Sequence, residues 1–321
     1  GKLMGLAPFG KSGIYNFDAF EFLSERLFVK DDWKYHFTNP SQGYEYFKEH
    51  FDYYANVAKC AQEQVEKAVI HCIKNRVERF PNDNLCYSGG VALNAVANAK
   101  LDDLNLIKNL YIEPAAADNG LALGCAFYGW LQYLKMPKIA HDGSTCFGKN
   151  YTKDDVNKAF VSSDEFSKIE FNNEDELLIY CAKKLNEGQT IGWFQSGSEF
   201  GPRSLGRRSI LAHPGIVGMK DHINRNIKFR EDFRPFAPAV LKEKVKNYFE
   251  VGRNSPYMIL VDRTKKEFLE KLYNVTHQDG SARVQTIEKS WNPKFYKLVE
   301  AFENESGIAV VLNTSLNRKG M

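Results

Sequence analysis

The sequence has no hydrophobic run long enough to cross a membrane. Its most apolar stretches, such as GIAVVLN, span only a few residues, against the roughly 20 that a bilayer requires. The opening residues do not read as a signal peptide, which points to a cytoplasmic protein. Paired cysteines are also missing. Cys60, Cys72, Cys86, Cys125, Cys146 and Cys181 are scattered without a CxxC, which argues against a zinc ribbon or a disulfide framework and predicts buried thiols in a reducing compartment. Net charge is small, +3 over 321 residues. A coat of basic residues for nucleic acid is thereby disfavoured, although a local basic site is not. No solenoid repeat or low-complexity tract occurs.

What is present is an ordinary globular composition, 43% hydrophobic and 26% charged, on a length that suits two domains. Residues 53–80 predict one long helix, with Tyr54, Val57, Ala58, Ala61, Val65, Ala68, Val69 and Cys72 at helical spacing and Pro81 as its stop. NLCYSGGVALNAVANAKL and NLYIEPAAADNGLALGCAFYGWLQYL each read as strand, small-residue loop and helix. Two such units in succession predict an α/β domain. Periodicity is lost over residues 135–150, which read as a linker. A second α/β pattern follows. DELLIYCAKKLNEG is a helix stopped by Gly188, TIGWFQSG, MILVD and GIAVVLN are strands, and NPKFYKLVEAFENES is the helix before the last of them. The glycine-rich opening, GKLMGLAPFG, resembles the middle of a domain and predicts further sequence on at least one side.

The densest chemical signal is SEFGPRSLGRRSILAHP, residues 198–214, where Arg203, Arg207 and Arg208 stand among Gly201, Pro202, Ser204, Gly206 and Ser209. Guanidinium forks match phosphate or carboxylate oxygens two at a time, and glycine lets backbone N–H groups approach an anion. The stretch fits an anion site or a solvated basic loop. Residues 200–234 hold eight Lys and Arg against three acidic residues, a local excess of five that exceeds the charge of the whole chain. Focused positive charge of this kind suits a phosphorylated small substrate and a triphosphate. Lys228, Arg230 and Arg234 lie in NIKFREDFRPFAPAVL, Arg283 in the turn-rich HQDGSARVQTI, and Asn313, Thr314, Ser315 and Asn317 in VLNTSLN. His213 reads as structural. His277 and Asp279 read as a turn in preference to an acid–base pair.

The signals of the first half are individually weaker. Ser88–Asn94, SGGVALN, places Gly89 and Gly90 between a strand and a helix, as a phosphate or ribose site or as a tight turn. Asp118 and Asn119 cap the next helix or face a metal or Mg-nucleotide. Lys2 is a phosphate contact or a surface lysine.

In this order the first-half stretches resemble the second half of an actin-like ATPase domain, of the type found in tRNA threonylcarbamoyl transferases and O-carbamoyltransferases. GPRSLGRRSILAHP, KFREDFRPFAPAVL, HQDGSARVQT and LNTSLN resemble the YrdC-like carboxy-terminal domain of the O-carbamoyltransferases, a family that includes the NodU and TobZ types. The resemblance covers nearly the whole chain. It implies an α/β chain with an actin-like (ASKHA) part at residues 1–145 and a YrdC-like part at residues 146–321. It implies that Arg203, Lys228, Arg234, Arg283, Asn313 and Ser315 bind carbamoyl phosphate and ATP, with Asn313 and Ser315 bonded to the carbamoyl amide. Lys2, Gly89, Gly90, Asn94, Asn119 and Arg207 would contact nucleotide, and Asp118 would ligate a metal, usually iron. The family's HxxxH-type histidines have no counterpart here, since His36 and His50 are wrongly spaced, which leaves Asp118 without its expected co-ligands.

The activity implied is ATP- and Mg²⁺-dependent formation of carbamoyl-adenylate, followed by transfer to the hydroxyl of a small molecule. A nucleic-acid or protein acceptor, or a non-catalytic nucleotide-binding module, are the alternatives. Oligomeric state is not legible, with a homodimer one option.

Overall fold

The computed structural model describes residues 2–15, 18–24, 26–31, 43–140, 142–160 and 167–318. The chain opens with α1 (Lys2–Leu6), followed by the antiparallel pair β1 (Phe20–Leu23) and β2 (Arg26–Val29). After α2 (Gly43–Glu49) comes α3 (Phe51–Arg79), the long helix expected from periodicity. Next are β3 (Asn84–Tyr87), α4 (Ala95–Asp103), β4 (Asn109–Ile112) and α5 (Gly120–Tyr128). β3 and β4 pair in parallel, as two strand–loop–helix units must if their helices cross over. α6 (Lys153–Phe160) and α7 (Glu174–Asn186) lead into β5 (Ile191–Phe194) and β6 (Arg208–Ala212). The remainder is α8 (Met219–His222), β7 (Ala237–Leu241), α9 (Val245–Tyr248), β8 (Leu260–Arg263), β9 (Ser281–Ile287), α10 (Pro293–Ser306) and β10 (Val310–Ser315).

Six of these strands form one mixed sheet in the order β5-β6-β10-β7-β9-β8, parallel only between β7 and β9. Val310, Val311 and Leu312 of β10 are fully buried at its centre, and α7 and α10 belong to the same core. Both helices carry clear local instructions. The side chain of Asn173 accepts from Glu176 N at 2.9 Å, and that of Asn292 from Phe295 N at 3.3 Å. Gly188 and Gly307 stand just beyond the two helices with positive φ.

Three expectations change. β6 and β9 lie in segments read as loop, because turn residues at their starts dominate the local pattern. In β9, Ala282 and Val284 enter the core and Arg283, between them, points to the other face. The described residues of the strip 135–150 are irregular but not loose. Gly143 O accepts from the Tyr257 hydroxyl at 2.8 Å, Thr145 O from Phe200 N at 2.7 Å, and Ser198 O from Gly148 N at 3.1 Å. Finally, all six cysteines are free, but only Cys60 and Cys181 are buried, while Cys86 and Cys125 are exposed. Burial pushes the Cys181 thiol up to about 11.

The halves are fastened together by polar and aromatic contacts. Arg253, next to the buried carboxylate of Asp262, reaches across to Asp102 at 3.0 Å and to Asp103 at the end of α4. Asn98 of α4 donates to Ile259 O at 3.0 Å. Phe47 and Phe51 pack on Phe233 of the second half. Among the described residues no helix is long and apolar enough to cross a membrane.

Candidate functional site

The arginine loop between β5 and β6 is held from within. Glu199 accepts Leu205 N and Arg207 N, both at 2.7 Å, and more weakly Arg208 N at 3.4 Å. The hydroxyl of Ser209 takes Gly206 N at 3.1 Å and touches that of Ser204 at 2.6 Å. Gly206 has φ +94, and a methyl group there would lie 2.2 Å from the Phe295 ring. Only glycine meets both conditions.

This tight loop divides its arginines. Arg208 donates to Gln195 O at 2.6 Å and Ser196 O at 2.7 Å, and lies 3.5 Å over the Phe194 ring. Arg207 donates to Trp291 O at 2.9 Å and to the Ser196 hydroxyl. Both therefore satisfy backbone carbonyls and brace the fold, and Arg207, whose Nε is buried without a partner, does not line the cavity between the two halves. Arg203 does line it, with its Nε buried and unpartnered.

That cavity, about 240 Å³, lies between the two halves. Met4, Gly5, Lys59, Gln62 and Glu66 of the first half form one side. Arg203, Arg230, Arg234, Arg283, His277, Asn313 and Ser315 of the second half form the other. Register explains part of this convergence. Asn313 is opposite Ala237, and Ala239 is opposite Gln285. Arg283, two residues before Gln285, therefore shares its face and is separated from Asn313 by one small residue.

The four guanidiniums repel one another. Arg283 Nε is buried without a partner, and burial, then Arg203, Arg230 and Arg234, hold this guanidinium well below the usual arginine range. Burial, then Arg234, pushes Arg230 down to about 10, and burial lowers Arg203. Arg230 is aligned by Asn224 Oδ1 at 2.6 Å and by the Phe236 ring at 4.7 Å. It lines the cavity although it was not among the expected ligands. The KFREDFR spacing, with Arg234 four residues on, was the available signal. The carboxylates nearby are largely engaged. Asp279 accepts from Ser281 N at 3.0 Å and its hydroxyl at 2.6 Å, and Glu231 faces Lys2 at 2.5 Å and Arg234 at 3.8 Å. An anion in the cavity would neutralise charge that the protein leaves uncompensated.

His277 faces this cavity, and burial drives its imidazole down to about 4, with Arg283 and Lys220 assisting and Asp279 opposing. It is neutral at pH 7. His277 N donates to Ser281 O at 2.7 Å, so HQDG does form a turn. His213 is structural: Nδ1 accepts Gly215 N at 3.0 Å and the ring packs on Phe302.

Two expected ligands have other occupations. The ammonium of the buried Lys228 lies among four acceptors that share its three N–H groups: Asn317 Oδ1 at 2.8 Å, Asn317 O at 3.0 Å, the Ser315 hydroxyl at 3.1 Å and Ser315 O. Lys228 thus fastens the end of β10 and does not line the cavity. The Ser315 hydroxyl, which does, is also bonded to Asn317 Oδ1 at 2.6 Å.

In the first half the glycine loop and the Asp-Asn loop stand side by side at the carboxyl ends of β3 and β4, joined by Gly89 N to Ala116 O at 2.9 Å. Crevices of this kind commonly receive ligands in α/β sheets. Gly89 has φ +105, and a methyl group at Gly89 or Gly90 would meet nothing within 4 Å, so the loop faces open space. Asn94 is committed elsewhere. It caps α4 through Ala97 N at 3.1 Å and exchanges two hydrogen bonds with Gln62. Lys2, exposed, is paired with Glu231. Asp118 and Asn119 are exposed, and Asn119 makes no side-chain cap.

No group of three or more His, Cys, Asp or Glu placed to hold a metal occurs among the described residues. His50 bonds to Tyr46 O and stacks on the Tyr46 ring, and His36 lies outside the described residues. One exposed carboxylate does not make an iron centre, and Asp118 does not fit one on its own.

A larger, apolar cavity of about 870 Å³ opens beside these loops, walled by Tyr87, Ser88, Tyr111, Glu113, Phe127, Phe147 and Phe200. Phe200 adjoins Gly201, which approaches Pro114 so closely that a methyl group would be 3.2 Å from its carbonyl oxygen. The arginine loop is thus a shared wall, with Phe200 on the apolar cavity and Arg203 on the cationic one.

Fold and site together define an α/β chain whose two halves meet at a cavity lined by four guanidiniums. Residues 1–127 match the family profile described as "Carbamoyltransferase N-terminus", and residues 182–321 match "Carbamoyltransferase C-terminus". The chain belongs to the carbamoyltransferase family. It is 33% identical over 327 residues to the 3'-hydroxymethylcephem-O-carbamoyltransferase of Amycolatopsis lactamdurans, covering 100% of this chain and 59% of that protein. It is 31% identical over 330 residues to the nodulation protein NolO of Bradyrhizobium diazoefficiens, covering 98% and 59%. With nodulation protein U of Sinorhizobium fredii it shares 32% over 260 residues, 80% and 44%. The chain spans about half the length of the curated relatives it matches.

Proposed function

We propose that this chain carries the carbamoyl-activating and part of the transferring machinery of an ATP-dependent O-carbamoyltransferase. The supporting observation is the cluster of four guanidiniums around one cavity, two of them with buried, unpartnered Nε atoms. Carbamoyl phosphate is a small dianion that would supply the missing charge. In this reading the second half has the YrdC-like arrangement and the first half belongs to an actin-like domain.

The reaction proceeds in three balanced steps. Water cleaves carbamoyl phosphate to carbamate and phosphate. A carbamate oxygen attacks the α-phosphorus of ATP, with Mg²⁺ accompanying the triphosphate, and pyrophosphate leaves. An acceptor hydroxyl then attacks the carbonyl carbon of carbamoyl-adenylate, giving the O-carbamoyl product and AMP as the hydroxyl proton is lost. Arg203, Arg230, Arg234 and Arg283 bind the anions and stabilise charge on the transferring groups. The neutral His277 lies beside them. The loops at Gly89, Gly90 and Asn119 are the open surface for the adenylate, and a small-molecule hydroxyl is the acceptor. Lys228 contributes by fixing the strand end that carries Asn313 and Ser315.

The test is incubation with ATP, Mg²⁺ and carbamoyl phosphate, following pyrophosphate and carbamoyl-adenylate by mass spectrometry. Pyrophosphate release that requires carbamoyl phosphate is the expected result. ATP binding without turnover would favour a non-catalytic nucleotide-binding module.

A further inference from the structure

Asn224 is fully buried and does not line the cationic cavity, yet it holds one of the guanidiniums that do. It lies in the widened helical turn Ile223–Lys228, which Phe229, with φ +48, brings to an end. The chain then returns over Asn224, whose carbonyl oxygen accepts Phe229 N and, at 3.0 Å, Arg230 N. The side chain reaches further along the same segment. Its Nδ2 donates to Arg234 O at 3.1 Å and, at 3.5 Å, to Asp232 O. Carbonyl oxygens only accept, so these contacts decide which end of the amide faces the other way. Oδ1 is left towards Arg230 and takes its Nε at 2.6 Å. Pro235 O accepts from Arg230 Nη2 at 3.2 Å, and the Phe236 ring supports the guanidinium at 4.7 Å. Nη1 remains for the cavity that Arg230 lines.

Each of these three supports is neutral. The carboxylates beside Arg230 in sequence are turned elsewhere, Glu231 to Lys2 and Arg234, and Asp232 to Arg225 at 2.8 Å. A carboxylate in place of Asn224 would hold the guanidinium more firmly, but it would cancel the charge that an anion has to meet. A neutral amide fixes direction and leaves the charge uncompensated. Without such a tether, a guanidinium facing three like charges would turn away from them. We propose that Asn224 is a positioning residue for anion binding, which aims Arg230 into the cavity without touching the ligand. The ligand class is the phosphoryl group of a small phosphorylated substrate. This inference rests on the anion-binding reading of the cavity.

The test is calorimetric titration of the wild-type chain, Asn224→Ala, Arg230→Ala and the double variant with inorganic phosphate and with carbamoyl phosphate. Asn224→Ala should weaken both anions about 10-fold, the size of one lost hydrogen bond to a charged group. Arg230→Ala should weaken them at least as much. The double variant should bind as Arg230→Ala does, because Asn224 then has nothing to aim, whereas a merely structural role predicts losses that add. Unchanged affinity in Asn224→Ala, or losses that add in the double variant, overturns the inference and spares the anion site. Failure of the wild-type chain to bind either anion overturns both. If Asn224→Ala does not fold, the isosteric Asn224→Asp decides in its place. It keeps the acceptor but pairs Arg230 with a charge, so both anions should again bind about 10-fold more weakly, and wild-type affinity in that variant overturns the inference.

Discussion

The two glycine-containing loops that the sequence marks as candidate binding sites are built in opposite ways. The arginine loop is closed on itself. Glu199 gathers its backbone N–H groups, Gly206 is wedged against Phe295, and two of its three arginines brace carbonyls. The glycine loop of the first half is open, with nothing within 4 Å of a methyl group at Gly89 or Gly90. The surroundings follow the same contrast. The second half has a six-stranded sheet with a continuous core, whereas the first-half α5 buries none of its residues and leaves Leu121 67% and Tyr128 70% exposed. An anion site that must hold several like charges needs a rigid frame, since guanidiniums free to move would separate. A surface loop that receives a ligand does not carry that burden.

The contrast can be broken at several points. The largest effect is expected at Arg283, where Arg283→Ala should reduce carbamoyl phosphate-dependent pyrophosphate release by about 10²–10³-fold or more, as for loss of a preorganised charge-stabilising donor. Full activity in that variant would remove the cavity from the mechanism. Gly206→Ala should cost about 2 kcal/mol or more in urea unfolding, from both its φ and its clash with Phe295. Arg208→Ala should cost about 1–2 kcal/mol by removing the donor to the carbonyl of the buried Gln195, while phosphate affinity of the folded variant stays close to wild type. Arg203→Ala should show the reverse, with lost affinity and little lost stability.

The pH profile sharpens the same point. His277 has a folded value near 4, below its ordinary 6.5, because burial disfavours the imidazolium. Between these values the unfolded chain binds a proton that the folded chain does not, so stability rises with pH. Wild-type stability should therefore fall as pH drops from 6.5 towards 4, and His277→Gln should lose that part of the slope in thermal melts at fixed ionic strength. The smallest effect on folding is expected at Gly90→Ala, within about 0.5 kcal/mol, because the position is open and its φ is not positive. If that substitution unfolds the chain, the glycine loop is as tightly packed as the arginine loop and the comparison fails.

Much of this was legible from the sequence. Helical spacing located α3, Gly188 marked the end of α7, and the charge excess of residues 200–234 marked the cationic region. The α/β class followed from the repeated strand–loop–helix plan. What failed was the assignment of tasks to individual cations. Arg203, Arg207 and Arg208 are chemically identical and nearly adjacent, and Lys228 and Arg230 sit two residues apart. A sequence gives their charge but not their direction. The β9 strand was missed because Ser281 and its preceding turn dominate local propensity, whereas its alternation is meaningful only once one face is covered by a core.

The sequence by itself determined the class of fold and the presence of concentrated positive charge, because periodicity and composition are local properties, while its ordered motifs carried the resemblance to the family. Only the tertiary structure decided which guanidiniums face a common cavity. Strand register, through Asn313 opposite Ala237 and Ala239 opposite Gln285, brought Arg283 and Asn313 together from distant segments. It also decided which atoms stayed unpaired, since a buried donor or acceptor is satisfied or left for a ligand only after every neighbour has been placed.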